Sequence, residues 1–382
     1  MNIAVIGKGT SSIITTLVLL KKGHNVTIFY DPQTPHINVG ESTTPLFANL
    51  VYESLGLSIH KLVDLGIFSY KMGINFVNWG CGNTFHHNFP GSNIANHFET
   101  KPFNKFIHDY LESNNIVKYV PERVDEYSLT NNIVILNGRS FDFVVNCAGW
   151  EHDENYIDPI FETVNSAILF VDELEYTNTH TLHLATEDGW QFGLPFPQKN
   201  IFKCGYLYNN NYTSEEDACK KISREIYEKF SWKPRYSKEL IKNPWVALNG
   251  NRLFFFEPLQ ALSLHYTITF AEFIASYLDE PTQDNFNRIN YDYHYEIWQY
   301  QLSLAYHYQF GSIHETEFWK DKKTKALEIM KHNLNGNFKI FESHLNYDMY
   351  NQSKRTFYSR IGCFASEDHN HVYYGMTGKP FD

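Results

Sequence analysis

The sequence predicts an α/β fold: a Rossmann-like parallel sheet, an inserted antiparallel β-sheet and a helical C-terminal region. Three observations carry that expectation. Residues 2–31 alternate strand, glycine turn, apolar helix and strand. Residues from about 166 to 208 form short apolar segments with little helical period, and residues 286–354 are helical and tyrosine-rich.

The first element is Ile3-Ala4-Val5-Ile6, a continuous apolar run of the kind found in buried parallel strands. The turn Gly7-Lys8-Gly9-Thr10-Ser11-Ser12 follows, then a helix from about Ser11 to Lys22 closed by Gly23. A second strand, Val26-Thr27-Ile28-Phe29-Tyr30, ends at Asp31. In such a unit the first glycine permits the tight turn, and the second lets backbone approach a dinucleotide pyrophosphate at the helix N-terminus. Gly7, Gly9, Thr10, Ser11 and Ser12 are therefore cofactor-binding candidates, with Ser12 small enough for the place of a third glycine. Asp31, an acid ending the second strand, is the candidate partner of the adenosine ribose.

The stretch Ser69-Tyr70-Lys71-Met72-Gly73-Ile74-Asn75-Phe76-Val77-Asn78-Trp79 has the pattern of one alternating strand with a lysine at its head. Strands disfavour lysine, and an inward-facing one is paired or put to use. A helix is expected over Asn104–Leu111, then a β-meander from Val117–Val120, Arg123–Tyr127, Ile133–Leu136 and Phe141–Asn146. The last strand runs into Cys147-Ala148-Gly149-Trp150, where small residues let backbone lie close to a nucleotide; this order resembles FAD monooxygenases returning to their first sheet. Residues 214–230 are expected as an amphipathic helix with Ile222, Ile226 and Phe230 on one face. Phe254–Ser263 leads back to the first sheet and into a helix over about 265–279. The expected organisation is a discontinuous FAD-binding domain, 1–160 and 243–285, an antiparallel-sheet substrate region, 161–242, and a helical region, 286–382.

A chain of 382 residues, 43% hydrophobic and 16% aromatic, is long enough for a large core or two domains. Its net charge of −11 and lack of a Lys/Arg run argue against nucleic acid and anionic membrane as partners. Five scattered cysteines (Cys81, Cys147, Cys204, Cys219, Cys363) suit free, mostly buried thiols in a reducing compartment. The chain opens on a strand without a signal peptide, so a soluble, cytoplasmic protein is expected. His86-His87 and His369–His371 lack companion ligands at metal spacing, so no metal site is expected.

Six segments in order resemble the flavin-dependent tryptophan halogenase family, over nearly the whole chain. They are Gly7–Ser12, Gly40-Glu41 in a strap, Tyr70-Lys71-Met72-Gly73-Ile74, Trp190-Gln191-Phe192-Gly193-Leu194-Pro195, Glu257-Pro258-Leu259-Gln260-Ala261, and Ala305-Tyr306-His307-Tyr308 with Glu315–Trp319. The chain's length resembles short, viral-type members. The resemblance implies an FAD-binding, flavin monooxygenase-type fold and an FADH2-dependent halogenase acting on a small electron-rich aromatic substrate. Reduced FAD and O2 would turn chloride, bromide or iodide into hypohalous acid, which Lys71 would hydrogen-bond or carry as a haloamine. It further implies flavin contacts at Gly40, Glu41, Val124, Asn251 and Leu264, halide at Leu262 and Ser263, and a substrate-region wall of Trp190, Phe192 and Pro195. No second nucleotide fingerprint is present, so a separate flavin reductase should supply FADH2; a homo-oligomer is compatible with all of this.

The departures matter as much. The family's second glutamate is Gln260 here, an amide that can hydrogen-bond Lys71 or hypohalous acid but cannot take up a proton. The base is then Glu257, His265, His86, His87 or water. Two other functions fit the same motifs: an FAD monooxygenase that hydroxylates without halide, and a flavin-binding protein that has lost halogenation.

Overall fold

The computed structural model describes residues 1–35, 39–82, 84–89, 93–130, 132–149, 154–174, 179–334, 360–361 and 364–379. Trp150 and Cys363, and the helical tail expected beyond residue 334, lie outside the described residues.

The chain begins with strand β1 (Asn2–Ile6), helix α1 (Thr10–Lys21) and strand β2 (Asn25–Phe29). These strands pair in parallel because α1 crosses over one face between them. They belong to a six-stranded sheet in the order 241–243, 246–248, 143–146, β1, β2, 118–120. Only the outermost pair, 241–243 with 246–248, is antiparallel. Strand 118–120 was expected to start a meander and instead extends this sheet beside β2. The meander that does form is Tyr127–Thr130, Ile133–Leu136 and Arg139–Phe141. Arg123, Asp125 and Glu126 precede it as irregular backbone, where their charged heads reach water.

A seven-stranded, mostly antiparallel sheet runs 226–231, 166–173, 201–208, 189–196, 180–186, 73–77, 85–88. Residues 214–230 are not one helix. The helix stops at Glu215–Lys220, and Ile226–Ser231 is an edge strand. Ile226 and Phe230, four residues apart, share a face in either conformation, so that spacing could not separate the two.

The Ser69–Trp79 segment is likewise two strands, β4 (Phe68–Lys71) and β5 (Gly73–Val77). Strand β4 joins a small sheet with β3 (Gly40–Ser42) and 95–99, while β5 joins the seven-stranded sheet. Met72 is the crossing point, its N–H bonded to the Thr179 carbonyl. Lys71 therefore sits at the seam between two sheets. The helices Leu262–Asp279 and Gln283–Tyr308 pack over the site from the other side, and the second is buried at nearly every residue from Ile297 to Tyr308.

Candidate active site

The carboxyl ends of the parallel strands converge on the glycine turn, the place where open α/β sheets bind nucleotides. Gly7 has φ +114, and a Cβ there would press on the Cys147 carbonyl oxygen at 2.9 Å. Gly9 is different: it caps α1 with φ −93 and ψ −177, and a Cβ would meet nothing within 4 Å. Neither backbone strain nor packing requires that glycine, so its bare backbone suits the close approach of a phosphate at the N-terminus of α1.

Thr10 is tied to Asn104 at 3.2 Å, and Ser11 packs against Gly250 of the 3-10 turn Gly250–Arg252, which also holds Asn251. Ser12 is fully buried with its hydroxyl unpartnered, so its side chain serves packing behind the turn. Asp31 lies 3.9 Å from Arg123 and accepts a 2.8 Å bond from the Gln33 N–H; Val124 packs against the cluster of Ile6 and Phe29. Asn249 gave no signal in the sequence. Its amide nitrogen donates to Thr15 and to the Thr267 carbonyl, both at 3.0 Å, stapling α1 to the 262–279 helix.

Gly40 and Glu41 sit in β3, paired with Glu99 and Phe98. A Cβ on Gly40 would meet the Cδ1 end of Leu194 at 2.7 Å, so a side chain there would have to push that leucine aside. Thr43 and Asn96 bond each other reciprocally, and Lys203 and Lys199 both hold Glu99. Thr44 reaches His265 at 3.2 Å, which commits that histidine to the strap.

The strap walls a pocket of about 420 Å³ of atom-free space, counting its open mouth. It is lined by Glu41 and Thr181, by His183 and Phe192, and by Ala261, Ser263 and Leu264 among others. Desolvation pushes the Glu41 carboxyl up to about 7. Ser263 and Leu264 bring the first turn of the 262–279 helix to this pocket, a favourable end for an anion. Leu262 does not line it: that side chain is 1% exposed and belongs to the core. Phe192 faces the pocket with its ring over Gly205 of the neighbouring strand. Trp190, on the same face, is fully buried between His183 and Trp79. Pro195 is on the opposite face, where its carbonyl accepts the Ser69 hydroxyl at 2.6 Å.

Lys71 is 1% exposed, which rules out a side chain snorkelling to solvent. Its ammonium donates to the Thr43 carbonyl at 2.8 Å and lies 5.3 Å from the centre of the Phe89 ring. Around it stand His97, His180 and His183. Burial first, and the Lys71 charge second, hold His97 and His183 well below the usual histidine range. No local sequence signal marks this ring of neutral imidazoles, or Thr181, which bonds both His97 and Ser42.

Glu257 is fully buried in a separate cluster. It accepts from Thr163 at 2.6 Å and Tyr308 at 3.1 Å, and burial pushes its carboxyl up to about 7 against the pull of those donors, the Val164 backbone and Trp190. Gln260 is 2% exposed, and its amide nitrogen is committed to His307 Nε2. Gln260 (φ 58) and Ala261 (φ 61) are consecutive left-handed residues other than glycine, a strained turn directly before the helix. The base candidates His86 and His87 fall on an edge strand beside His371.

The parallel sheet, the glycine turn and the strap-walled pocket define an FAD-binding Rossmann-like enzyme. The chain belongs to the tryptophan halogenase family, whose model matches residues 2–134 and 90–381; the family's members are flavin-dependent halogenases. The chain is similar to the tryptophan 6-halogenase ThaL of Streptomyces albogriseolus, 20% identical over 428 residues covering 86% of this chain and 80% of that protein. In fold it resembles the tryptophan halogenase from Shewanella frigidimarina NCIMB 400 (TM-score 0.79, 17% identity, 98% of this chain and 88% of that one). It likewise resembles Xcc4156, a flavin-dependent halogenase from Xanthomonas campestris (TM-score 0.77, 16% identity, 99% and 89%). No helix among the described residues is long and apolar enough to cross a membrane, and none of their His, Cys, Asp and Glu side chains group as a metal site.

Proposed function

We propose that this enzyme makes hypohalous acid from halide and O2 with FADH2, and delivers it through Lys71 to an electron-rich aromatic substrate. The observation that carries the reading is a lysine buried at the seam of two sheets and hydrogen-bonded to the strap carbonyl of Thr43. FAD fits the turn: Gly7, Gly9 and the amides of Thr10 and Ser11 would hold the pyrophosphate, Asp31 the ribose, and Glu41 with its strap the flavin end. Val124, Asn251 and Leu264 would border it. When bound, the reduced cofactor supplies the electrons that turn O2 and halide into the oxidant.

The chain's own residues do the rest. Ser263 and the backbone amides of the first turn at Leu262 favour halide, since orphan N–H groups and the helix dipole both attract an anion. Lys71 donates a hydrogen bond to the oxygen of hypohalous acid. As the ring carbon takes the halogen, the halogen–oxygen bond breaks toward oxygen, and the departing hydroxide collects the ring proton as water. Net, ArH and HOX give ArX and H2O, so no carboxylate base is required and Gln260 is compatible with turnover. Phe192 and Trp190 wall the substrate side from the flavin side, with Pro195 fixing their strand.

We assign FAD binding to 1–160 and 243–285, with strands 73–77 and 85–88 lent to the antiparallel sheet of 161–242, and covering helices from 286 onward. A separate flavin reductase in the same cytoplasmic compartment supplies FADH2. The test uses reduced FAD, O2 and chloride, bromide or iodide in turn, with monochlorodimedone trapping hypohalous acid and indole as a probe arene. Product should require halide. Lys71→Ala should keep flavin oxidation while halogenated product falls about 100-fold, the scale of a lost electrostatic donor. Oxygenated indole formed without halide would instead identify a monooxygenase.

A further inference from the structure

His307 carries its ring proton on a definable nitrogen. Nδ1 stands 2.7 Å from the Ser303 carbonyl, which can only accept, so Nδ1 bears the hydrogen and Nε2 of the neutral ring is a lone pair. That lone pair accepts the Gln260 amide N–H. Turning the amide around would set its oxygen against the lone pair, so the NH2 end is locked toward His307. The other end, Gln260 Oε1, is a buried acceptor with no hydrogen-bond partner among the described residues. His307 itself is 2% exposed and stacks on Phe76 (5.8 Å between centres, 19° between planes). Phe76 also meets His183 edge-on at 5.2 Å, and Lys71 and His307 both act electrostatically on His183. A run of contacts through Phe76 and His183 thus links the pair to the lysine.

We propose that His307 is a positioning residue: it fixes the Gln260 amide so that its carbonyl oxygen is offered to the O–H of hypohalous acid held by Lys71. The inference rests on the function proposed above. Lys71 donates to the oxidant's oxygen and Gln260 accepts from its hydrogen, so the halogen is left pointing at the substrate. A neutral imidazole with its proton pinned to Ser303 matches an amide donor. A carboxylate in that place would instead draw a second proton onto Nε2, giving an imidazolium that donates from both nitrogens. Gln260 and His307 are therefore paired through a neutral imidazole, where a glutamate would hold a charged pair.

The test measures halogenated indole formed per FADH2 oxidised, free hypohalous acid by monochlorodimedone, FAD affinity and Tm. His307→Leu, which can accept nothing, should lower coupling about tenfold, the scale of one lost buried hydrogen bond, with FAD affinity unchanged and more free hypohalous acid. His307→Gln, whose amide oxygen can accept in place of Nε2, should recover coupling to within about twofold. Coupling left unchanged by His307→Leu, or lost equally in both His307 variants along with FAD affinity and Tm, overturns the positioning role. A wild-type enzyme that makes no hypohalous acid with any halide overturns the halogenase reading and this inference with it.

Discussion

Lys71 and Thr43 are joined by a 2.8 Å hydrogen bond from the lysine ammonium to the threonine carbonyl, two residues past Glu41 on the strap. An ammonium is costly to bury even when it is hydrogen-bonded. Lys71→Met keeps the length and removes the charge. We expect its Tm at or above wild type by about 2 °C while halogenation is lost, the pattern of a residue kept for chemistry. A fall of about 5 °C in a thermal melt would mark Lys71 as structural instead. Lys71→Arg should not rescue activity, because a larger planar head does not fit where the lysine is 1% exposed.

The two glycines of the turn should separate by phenotype. A Cβ at Gly9 would meet no atom within 4 Å and its φ of −93 suits any residue, so Gly9→Val should keep the apo fold while FAD affinity falls about 100-fold or more through loss of the phosphate approach. Gly7→Ala, at φ +114 and against Cys147, should destabilise the apo fold by ~1–3 kcal/mol. Equal FAD titrations for Gly9→Val and wild type would refute the dinucleotide assignment.

Glu257 gives a pH dependence with a definite sign. Its folded pKa of about 7 is above the unfolded carboxylate value, so folding favours the protonated form. The associated stability is fully present below about pH 4.5 and is lost as pH rises through about 7. Glu41 adds a slope of the same sign. His97 and His183, buried neutral, slope the opposite way, so denaturant melts of the apo protein between about pH 5 and 8 should show wild type losing stability relative to Glu257→Gln as pH rises. A Glu257→Gln curve parallel to wild type would place the slope elsewhere.

Halide selectivity should respond to Ser263 and not to Leu262. Ser263 lines the pocket and bonds Tyr300 at 3.0 Å, so Ser263→Ala should shift bromide-over-iodide preference by roughly tenfold or less. Leu262→Thr puts a hydroxyl into the core; it should cost ~2–4 kcal/mol in stability and leave the halide profile alone. Competition assays on the two variants decide between them.

Gly205 tests the pocket wall. A Cβ there would overlap the Phe192 ring, so Gly205→Val should displace Phe192 and raise hydroxylated or halogen-free side products with FAD binding intact. An unchanged product ratio would remove Phe192 from the partition between flavin and substrate.

What the sequence alone determined was whatever is written in neighbouring residues. The glycine turn, α1 and β2 were legible because a tight turn, a phosphate approach and an apolar helix each leave a local signature over Ile3–Asp31. Lys71 stood out because lysine is unusual beside Gly73-Ile74. Local spacing failed where it was degenerate: Ile226 and Phe230 share a face in helix and strand alike, and Met72 gave no sign that one apparent strand divides between two sheets. The pairing of Gln260 with His307, the ring of His97, His180 and His183, and the clasp of Lys71 by Thr43 join residues far apart in the chain. Hydrogen bonds carry no sequence period, and the burial that neutralises those histidines exists only once both sheets and the 283–308 helix have closed around them. Tertiary structure decided the site's protonation and donor–acceptor roles, because desolvation and hydrogen-bond direction belong to the packed interior.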